Sequence, residues 1–342
     1  MIVEALAKLV EGQSLSMEEA SAVMEDIMEE RATPAQFGAF VTALRLKGET
    51  APEIAGMAQV MRRKSVRVPT DLPVVDTCGT GGDGSGTFNV STAAAFVVAA
   101  AGQPVAKHGN RGMTSKCGSA DVLEALGANI TLGPNAVARC IEQTGFGFMF
   151  APAYHPAMKF AAPLRREIGI RTVFNILGPL TNPAGAKRQV IGAPSRAAQS
   201  RLAEALGLLG VERALVVHGS EGLDEISISG PTFVLDVREG GVGESVIRPE
   251  QFGLTAAPAS AVMGGVAATN AEIVRTVLGG KSGNGARAQS DMVALNAAAA
   301  LVASGAVKDM SEGVERAQEI LASGAALGVL DRYVKTSQEL GS

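Results

Sequence analysis

The chain has 342 residues, 46% of them hydrophobic and 19% charged, enough for a substantial core in one large or two unequal domains, which excludes a disordered or fibrous protein. Aromatic residues make up only 4%, with no Trp, and Lys plus Arg at 30 against Asp plus Glu at 34 gives a net charge of -4. Neither an aromatic platform for stacking bases nor a basic nucleic-acid footprint fits that balance, so an anionic ligand must be met by local groups.

The N-terminal stretch MIVEALAKLVEG carries Glu4 and lacks a basic start, a long apolar run and a cleavage site, so it reads as a helix and not as a secretory signal. Apolar residues recur at helical spacing through Ile2, Leu6, Leu9 and Val10. Ser16, followed by Met17, Glu18 and Glu19, predicts an N-cap with acids in the first turn, and Val23, Met24, Ile27 and Met28 continue the apolar face. Thr33-Pro34 starts another helix, with Phe37, Phe40, Val41 and Leu44 as its stripe; Lys47-Gly48 ends it, and Thr50-Ala51-Pro52-Glu53 starts the next. Short helices with no strand between them predict an all-α module over residues 1–70.

The character changes near residue 70. Short β-rich runs such as Pro104 to Lys107, Leu215 to His218 and Phe233 to Val237 alternate with helical stretches such as Ser91 to Ala101 and Ser195 to Leu209. That alternation predicts an α/β domain over 71–342 with a central, mostly parallel sheet. The Ala-rich segments are too short, or too interrupted by Gly, to span a bilayer. Cys78, Cys117 and Cys140 are odd in number and lack CxxC spacing, which points to a reducing, cytoplasmic setting and away from a disulfide framework or a zinc site.

The most informative stretch is VVDTCGTGGDGSGTFNVST at 74–92. It reads as strand, Gly-rich loop, then a helix opening near Ser91-Thr92. Free backbone N–H groups at a helix start, beside a loop holding Gly79, Gly81, Gly82, Gly84 and Gly86, form a phosphate cradle. Asn89, Ser91 and Thr92 add side-chain oxygens or donors. The formal match to GxGxxG at 79–84 is weak, because that fingerprint needs the helix at once and an acid about 20 residues on. A Walker A loop fails at Gly84, which no Lys follows, and Gly280-Lys281-Ser282 has Arg275 where the motif requires Gly.

The next strand ends in Lys107-His108-Gly109-Asn110-Arg111. A cationic turn there would face the same crevice, since open α/β sheets bind ligands at strand C-terminal ends. Lys107 offers a point charge; Arg111 could bind phosphate or be structural; Ser115 and Ser119 offer hydroxyls, and Ser119 could also cap the helix that follows. His108 reads equally as a turn histidine.

With GTGGD at 79–83, NVST at 89–92, KHGNR at 107–111, SKCGSADVLEALG at 115–127, RTVFNILGPLTNP at 171–183 and HGSEGLDEIS at 218–227, the chain resembles the anthranilate phosphoribosyltransferases over most of its length, the helical module included. It departs from the family at Gly112-Met113-Thr114, where Ser or Ala, Val and Ser are frequent, and in the spacing of Lys281 to Ser290. The resemblance implies a nucleoside phosphorylase/phosphoribosyltransferase-type fold, with a contribution from about 160–185 to the helical domain, and a homodimer. It implies transfer of phosphoribosyl from 5-phospho-α-D-ribose 1-diphosphate to anthranilate, in tryptophan biosynthesis, with Mg²⁺.

Residue by residue, the resemblance implies that Gly79, Gly82, Asp83, Thr87, Asn89, Val90, Ser91, Thr92, Lys107, His108, Gly109, Asn110, Arg111, Gly112, Met113, Thr114, Ser115 and Ser119 hold the phosphoribosyl diphosphate. Gly79, Asn110 and Arg165 would meet anthranilate, whose carboxylate suits a planar guanidinium. Asp224-Glu225, alone a solvated acidic turn, match the family's metal-binding acids, with Ser91 as a further ligand. The expected reaction is displacement at ribose C1 with inversion, resting on positioning and electrostatics. No catalytic nucleophile or acid/base is assigned, and His108 is a candidate for orientation only. A pyrimidine-nucleoside phosphorylase and a nucleic-acid-binding relative of the same fold are the alternatives.

Overall fold

The computed structural model describes residues 1–112, 115–280 and 286–341. Four helices open the chain: α1 (Ile2–Val10), α2 (Met17–Met28), α3 (Pro34–Lys47) and α4 (Ala51–Lys64). Their starts follow the predicted caps. Ser16 Oγ accepts from the Glu19 amide while Glu19 accepts from the Ser16 amide, and Thr33 forms the same reciprocal box with Gln36. Gly48, at φ 90°, ends α3.

Strands and helices then alternate as β1 (Val75–Gly79), α5 (Val90–Ala100), β2 (Val105–Gly109), α6 (Ser119–Ala125), α7 (Pro134–Thr144) and β3 (Phe146–Phe150). Three short helices follow, α8 (Ala151–Tyr154), α9 (Ala161–Ile168) and α10 (Phe174–Leu177). The chain returns to the sheet with β4 (Arg188–Gly192), α11 (Arg196–Leu208), β5 (Arg213–Gly219), β6 (Thr232–Arg238) and β7 (Gly241–Ile247). It closes with α12 (Ala267–Leu278), α13 (Ala286–Ser304), α14 (Met310–Ser323) and α15 (Ala325–Glu339).

The seven strands form one sheet in the order β3-β2-β1-β4-β5-β6-β7. The first five are mutually parallel, whereas β6 and β7 run antiparallel at one edge. The α/β class with a mostly parallel sheet is thus as expected. Helices α5 and α13 pack against each other and against the sheet. Both are Ala-rich and buried on nearly every side, and small side chains let them lie close. No helix among the described residues is long and apolar enough to cross a membrane.

The helical domain has its own apolar cluster, with Phe37, Phe40, Leu44 and Ile54 at its centre. Phe174, Leu177 and Leu180 belong to that cluster, as do Leu202 and Leu206 of α11. Phe37 lies 5.6 Å from the Phe174 ring. The cluster therefore extends from the first helices onto one face of the sheet.

A buried carboxylate fixes the α3–α4 corner. Glu53, fully buried, accepts from the Leu15 amide at 2.9 Å, the Thr50 amide at 2.7 Å and Lys47 Nζ at 3.0 Å. Glu53→Ala removes three charge-assisted bonds and takes from the Lys47 ammonium its only carboxylate among the described residues, leaving it Gly48 O and Ser14 Oγ as acceptors, so urea unfolding should show a loss of roughly 3–5 kcal/mol. A loss no larger than a surface substitution would show that the corner is held by apolar packing alone.

Candidate active site

The site is built at the point where the strand order reverses. From β1 the chain moves to β2 and β3 on one side, then returns to β4 on the other. A crevice opens at the C-terminal ends of two such neighbours. The β1–β4 register sets Gly79 opposite Gly192, and the gap above this pair is filled by Asp224 from the loop between β5 and β6. A Cβ on Gly79 would strike the Asp224 carboxylate, and one on Gly192 would strike its carbonyl oxygen. Glycine is required at both positions by this close approach.

From there Asp224 reaches the Gly-rich loop. Its Oδ2 accepts from the Gly81 amide at 2.7 Å, and its own amide lies 3.5 Å from Asp83 Oδ2. The loop is further held by Thr80 N donating to Gly192 O at 3.0 Å, by Gly264 N donating to Gly86 O at 2.8 Å, and by pairing of Thr87 with Met263. The helix after it begins at Val90, with Asn89 in the N-cap position. The long loop before that helix agrees with the demotion of the dinucleotide fingerprint.

Lys107 is buried, not a solvated strand end. Its Nζ donates to Thr77 O and lies 3.3 Å from Ser91 Oγ. The neighbouring Glu225, half-buried, accepts from the Ser91 amide at 3.2 Å through Oε1. Lys107, Ser91, Glu225, Asp224 and Asp83 thus form one connected cluster at the start of α5. A cavity of about 10 Å³ beneath it is lined by Thr77, Cys78, Ser91, Ala94, Val190, Glu225 and Asn296, room for one water.

The electrostatics of the cluster are strained. Burial, then the Asp83 charge, holds the Asp224 carboxyl above the usual carboxylate range; burial, then Asp224, does the same to Glu225. Burial pulls the Lys107 ammonium down, opposed by Asp76. A divalent cation would relieve the crowding of the acids. Asp224, Glu225 and the Ser91 hydroxyl are hard oxygen donors in one connected cluster, the kind that Mg²⁺ takes together with waters and substrate phosphates.

Several predicted residues are committed differently from the expectation. Asn89 donates through Nδ2 to Cys117 O at 3.2 Å, and its Oδ1 accepts from Asn270 Nδ2 at 2.9 Å, so its carboxamide braces the loop. Val90 and Thr92 side chains are buried, and the Thr92 hydroxyl has no partner among the described residues. Arg111 is spent on α6, with ion pairs to Asp121 at 3.0 Å and Glu124 at 2.8 Å. That helix is capped by Gly118, not Ser119; Asp121 accepts from the Gly112 and Gly118 amides, both at 2.8 Å. Ser119 Oγ lies 3.4 Å from Asn110 O and would meet a Cβ on Gly109. Ser115 Oγ bonds to Cys117 O, while Asn110 is exposed and accepts from the Arg111 amide. Met113, Thr114 and Lys281 lie outside the described residues.

His108 turns away from Lys107, as adjacent residues on a strand must. Its ring stands 5.1 Å from that of His155, both are buried, and Nε2 of His108 and both ring nitrogens of His155 lack partners among the described residues. Arg165 lies in the last turn of α9. Its guanidinium stands 5.3 Å from the Phe174 ring and makes no side-chain hydrogen bond or ion pair among the described residues. Asp224 is buried on the two glycines and Glu225, half-buried, is held by the Ser91 amide, so the reading of this pair as a solvated turn is overturned.

Three contributors were not read from the sequence. Gly192 is half of the seat under Asp224. Arg171 packs so closely on Gly82, itself at φ 74°, that a Cβ there would overlap the guanidinium; its place at the head of RTVFNILGPLTNP was a signal that could have found it. Asp76 is fully buried, accepting from the His108 amide at 3.3 Å and from Asn182 Nδ2 at 2.8 Å.

The helical bundle domain of the glycosyl transferase family matches residues 3–65 and its a/b domain residues 71–327. Anthranilate phosphoribosyltransferase from Herpetosiphon aurantiacus is 56% identical over 335 residues, 98% of each chain, and that from Dehalococcoides mccartyi is 52% identical over 344, the full length of both. Among solved structures, the enzyme from Thermus thermophilus superposes with a TM-score of 0.90 at 46% identity, covering 98% of this chain and 99% of its own. The enzyme from Saccharomyces cerevisiae, in complex with PRPP and Mg, gives 0.90 at 30% identity, covering 99% and 98%. The chain belongs to the anthranilate phosphoribosyltransferase family. These relatives favour the transferase over the phosphorylase and nucleic-acid alternatives.

The buried histidine pair has a consequence for stability. Burial, then His155, pushes His108 from 6.5 down to about 3, and burial pushes His155 down to about 4. Below pH 6.5 the unfolded chain takes up protons that the folded one refuses, so this contribution to stability is full above that pH and is lost as pH falls towards 4. Each histidine steepens the decline by up to ~1.4 kcal/mol per pH unit. Denaturant unfolding across pH 7 to 4.5 should show a shallower slope for His155→Gln than for the wild type; parallel slopes would mean the pair is solvated.

Proposed function

We propose that the crevice between β1 and β4 is where this chain transfers the 5-phosphoribosyl group from 5-phospho-α-D-ribose 1-diphosphate to the amine of anthranilate. The products are N-(5-phosphoribosyl)anthranilate and diphosphate, and the step belongs to L-tryptophan biosynthesis. The observation that carries the site assignment is the Asp224 carboxylate, seated on Gly79 and Gly192 and bonded to the Gly81 amide, beside the Lys107–Ser91 contact at the start of α5.

In this reading the phosphates lie along the loop 79–92, where small residues let them approach backbone N–H groups. Lys107 faces the leaving diphosphate and stabilises the charge that grows as the C1–O bond breaks. Its burial strengthens that interaction by excluding water. Asp224 and Glu225, with Ser91, would hold Mg²⁺, consistent with the yeast relative solved with PRPP and Mg. Bound there, the ion would neutralise diphosphate oxygens and favour their departure. The Arg165 guanidinium, partly desolvated and without a carboxylate partner among the described residues, would take the carboxylate of anthranilate, with Gly79 and Asn110 as the further contacts that the family resemblance implies; another yeast structure contains 4-fluoroanthranilate. The amine attacks as a neutral nucleophile, so no side chain is asked to remove a proton first.

We also read residues 1–70 with about 160–185 as the helical domain and 71–342 as the α/β domain. Membership of Phe174, Leu177 and Leu180 in the helical cluster supports this. Exposed Val3, Val10 and Leu46 on α1 and α3 support a homodimer through that domain, and three free cysteines support a reducing cytoplasm.

Purified protein should deplete anthranilate fluorescence only with both phosphoribosyl diphosphate and Mg²⁺; phosphorolysis of thymidine without anthranilate loss would overturn the assignment. Arg165→Ala should lower kcat/KM for anthranilate by roughly 10- to 150-fold, about 1.5–3 kcal/mol for a lost charge-assisted hydrogen bond. The KM for phosphoribosyl diphosphate should stay the same. An equal loss for both substrates would give Arg165 a structural role.

A further inference from the structure

Asn296 is a polar residue in an apolar place. It sits mid-way along α13, only 3% exposed, within the buried run from Met292 to Ala303. An unpaired carboxamide there would be costly. Instead its polar atoms are bonded in a specific pattern. Nδ2 donates to Met292 O, one turn back on its own helix, at 2.9 Å, which fixes the rotamer. The rest of the group faces Ile226, accepting from its amide through Oδ1 at 2.9 Å and donating through Nδ2 to its carbonyl at 3.0 Å.

Two bonds to the N–H and C=O of one residue fix the rotation of the backbone as well as its position, as a neighbouring strand would. Ile226 directly follows Glu225. The two acids just before it crowd Asp83 and each other, and the tie to α13 holds the backbone immediately after them. Asn296 also lines the small cavity under Glu225, together with Ser91.

We infer that Asn296 is the positioning residue of the metal-binding loop: it locks the Ile226 backbone so that Asp224 and Glu225 are presented together before any cation or substrate arrives. This rests on the transferase reading above and on the assignment of those two acids. Loss of a group that orients metal ligands typically weakens the metal by 10- to 100-fold.

The test uses Mn²⁺ as an EPR-visible probe, titrated into full-length protein with phosphoribosyl diphosphate and no anthranilate. In Asn296→Leu, which keeps the Cγ-branched, four-atom side-chain skeleton but has no polar atoms, the Kd for Mn²⁺ should rise roughly 10- to 100-fold, while KM for anthranilate at saturating metal stays put. A folded variant with a lower melting temperature but unchanged Mn²⁺ affinity would overturn the inference, because a structural role alone predicts that result. Wild-type protein that fails to bind Mn²⁺ with phosphoribosyl diphosphate would overturn the site reading itself, and the inference with it. Hydrogen exchange of the wild type needs no variant: the Ile226 amide should be slow to exchange without ligands, and fast exchange there would show that the loop is not locked in advance.

Discussion

Everything at this site depends on a space that two missing methyl groups leave open. The Asp224 carboxylate and its backbone occupy the volume where Cβ atoms of Gly79 and Gly192 would stand. That volume exists only because β1 and β4 are parallel neighbours in a register that brings both glycines to the same level. That the two strands are neighbours follows from the strand order, in which the chain crosses from β3 back to the far side of β1. A local feature, the absence of two side chains, is made useful by a global one, the reversal of strand order.

The second theme is charge held out of water. Asp76, Lys107 and Asp224 are buried and Glu225 half-buried, and burial is the largest influence disfavouring the charged form of each. Such a cluster adds little to stability by itself. Its value lies in what it can receive: groups already stripped of solvent interact strongly with charges that arrive later. The surface cation Arg111, by contrast, is already neutralised by Asp121 and Glu124. Cations close together in the sequence have opposite roles because one points into the fold and the other along its surface.

The helices α1–α4 were legible because caps and apolar stripes are local codes, and Ser16, Thr33 and Gly48 stand where those codes put them. The strand–loop–helix around GTGGD was legible for the same reason. What sequence could not supply was the identity of partners distant along the chain. Asn89 looks like a free donor until Asn270 appears beside it. His108 looks like part of the cationic turn until strand alternation sends it to His155. Asp224 looks solvated until the glycines of two strands make room for it, and Glu225 until the Ser91 amide meets it. The antiparallel edge formed by β6 and β7 also escaped notice, since a parallel and an antiparallel strand carry similar apolar runs.

The shared apolar cluster has an implication for modularity. The segments recognised as a helical bundle domain and an a/b domain are units of inheritance, each with its own recognisable sequence pattern. They nevertheless share one apolar cluster, so each buries apolar surface against the other. Leu202 and Leu206 of α11, together with Ile191 and Val216 from the sheet, complete the same apolar cluster as Phe37 and Ile54, and Arg201 of α11 pairs with the buried Glu49 at 3.2 Å. Cutting the chain between α4 and β1 would leave both pieces with bare apolar faces. Grafting the bundle onto a foreign α/β domain would require α11 to travel with it.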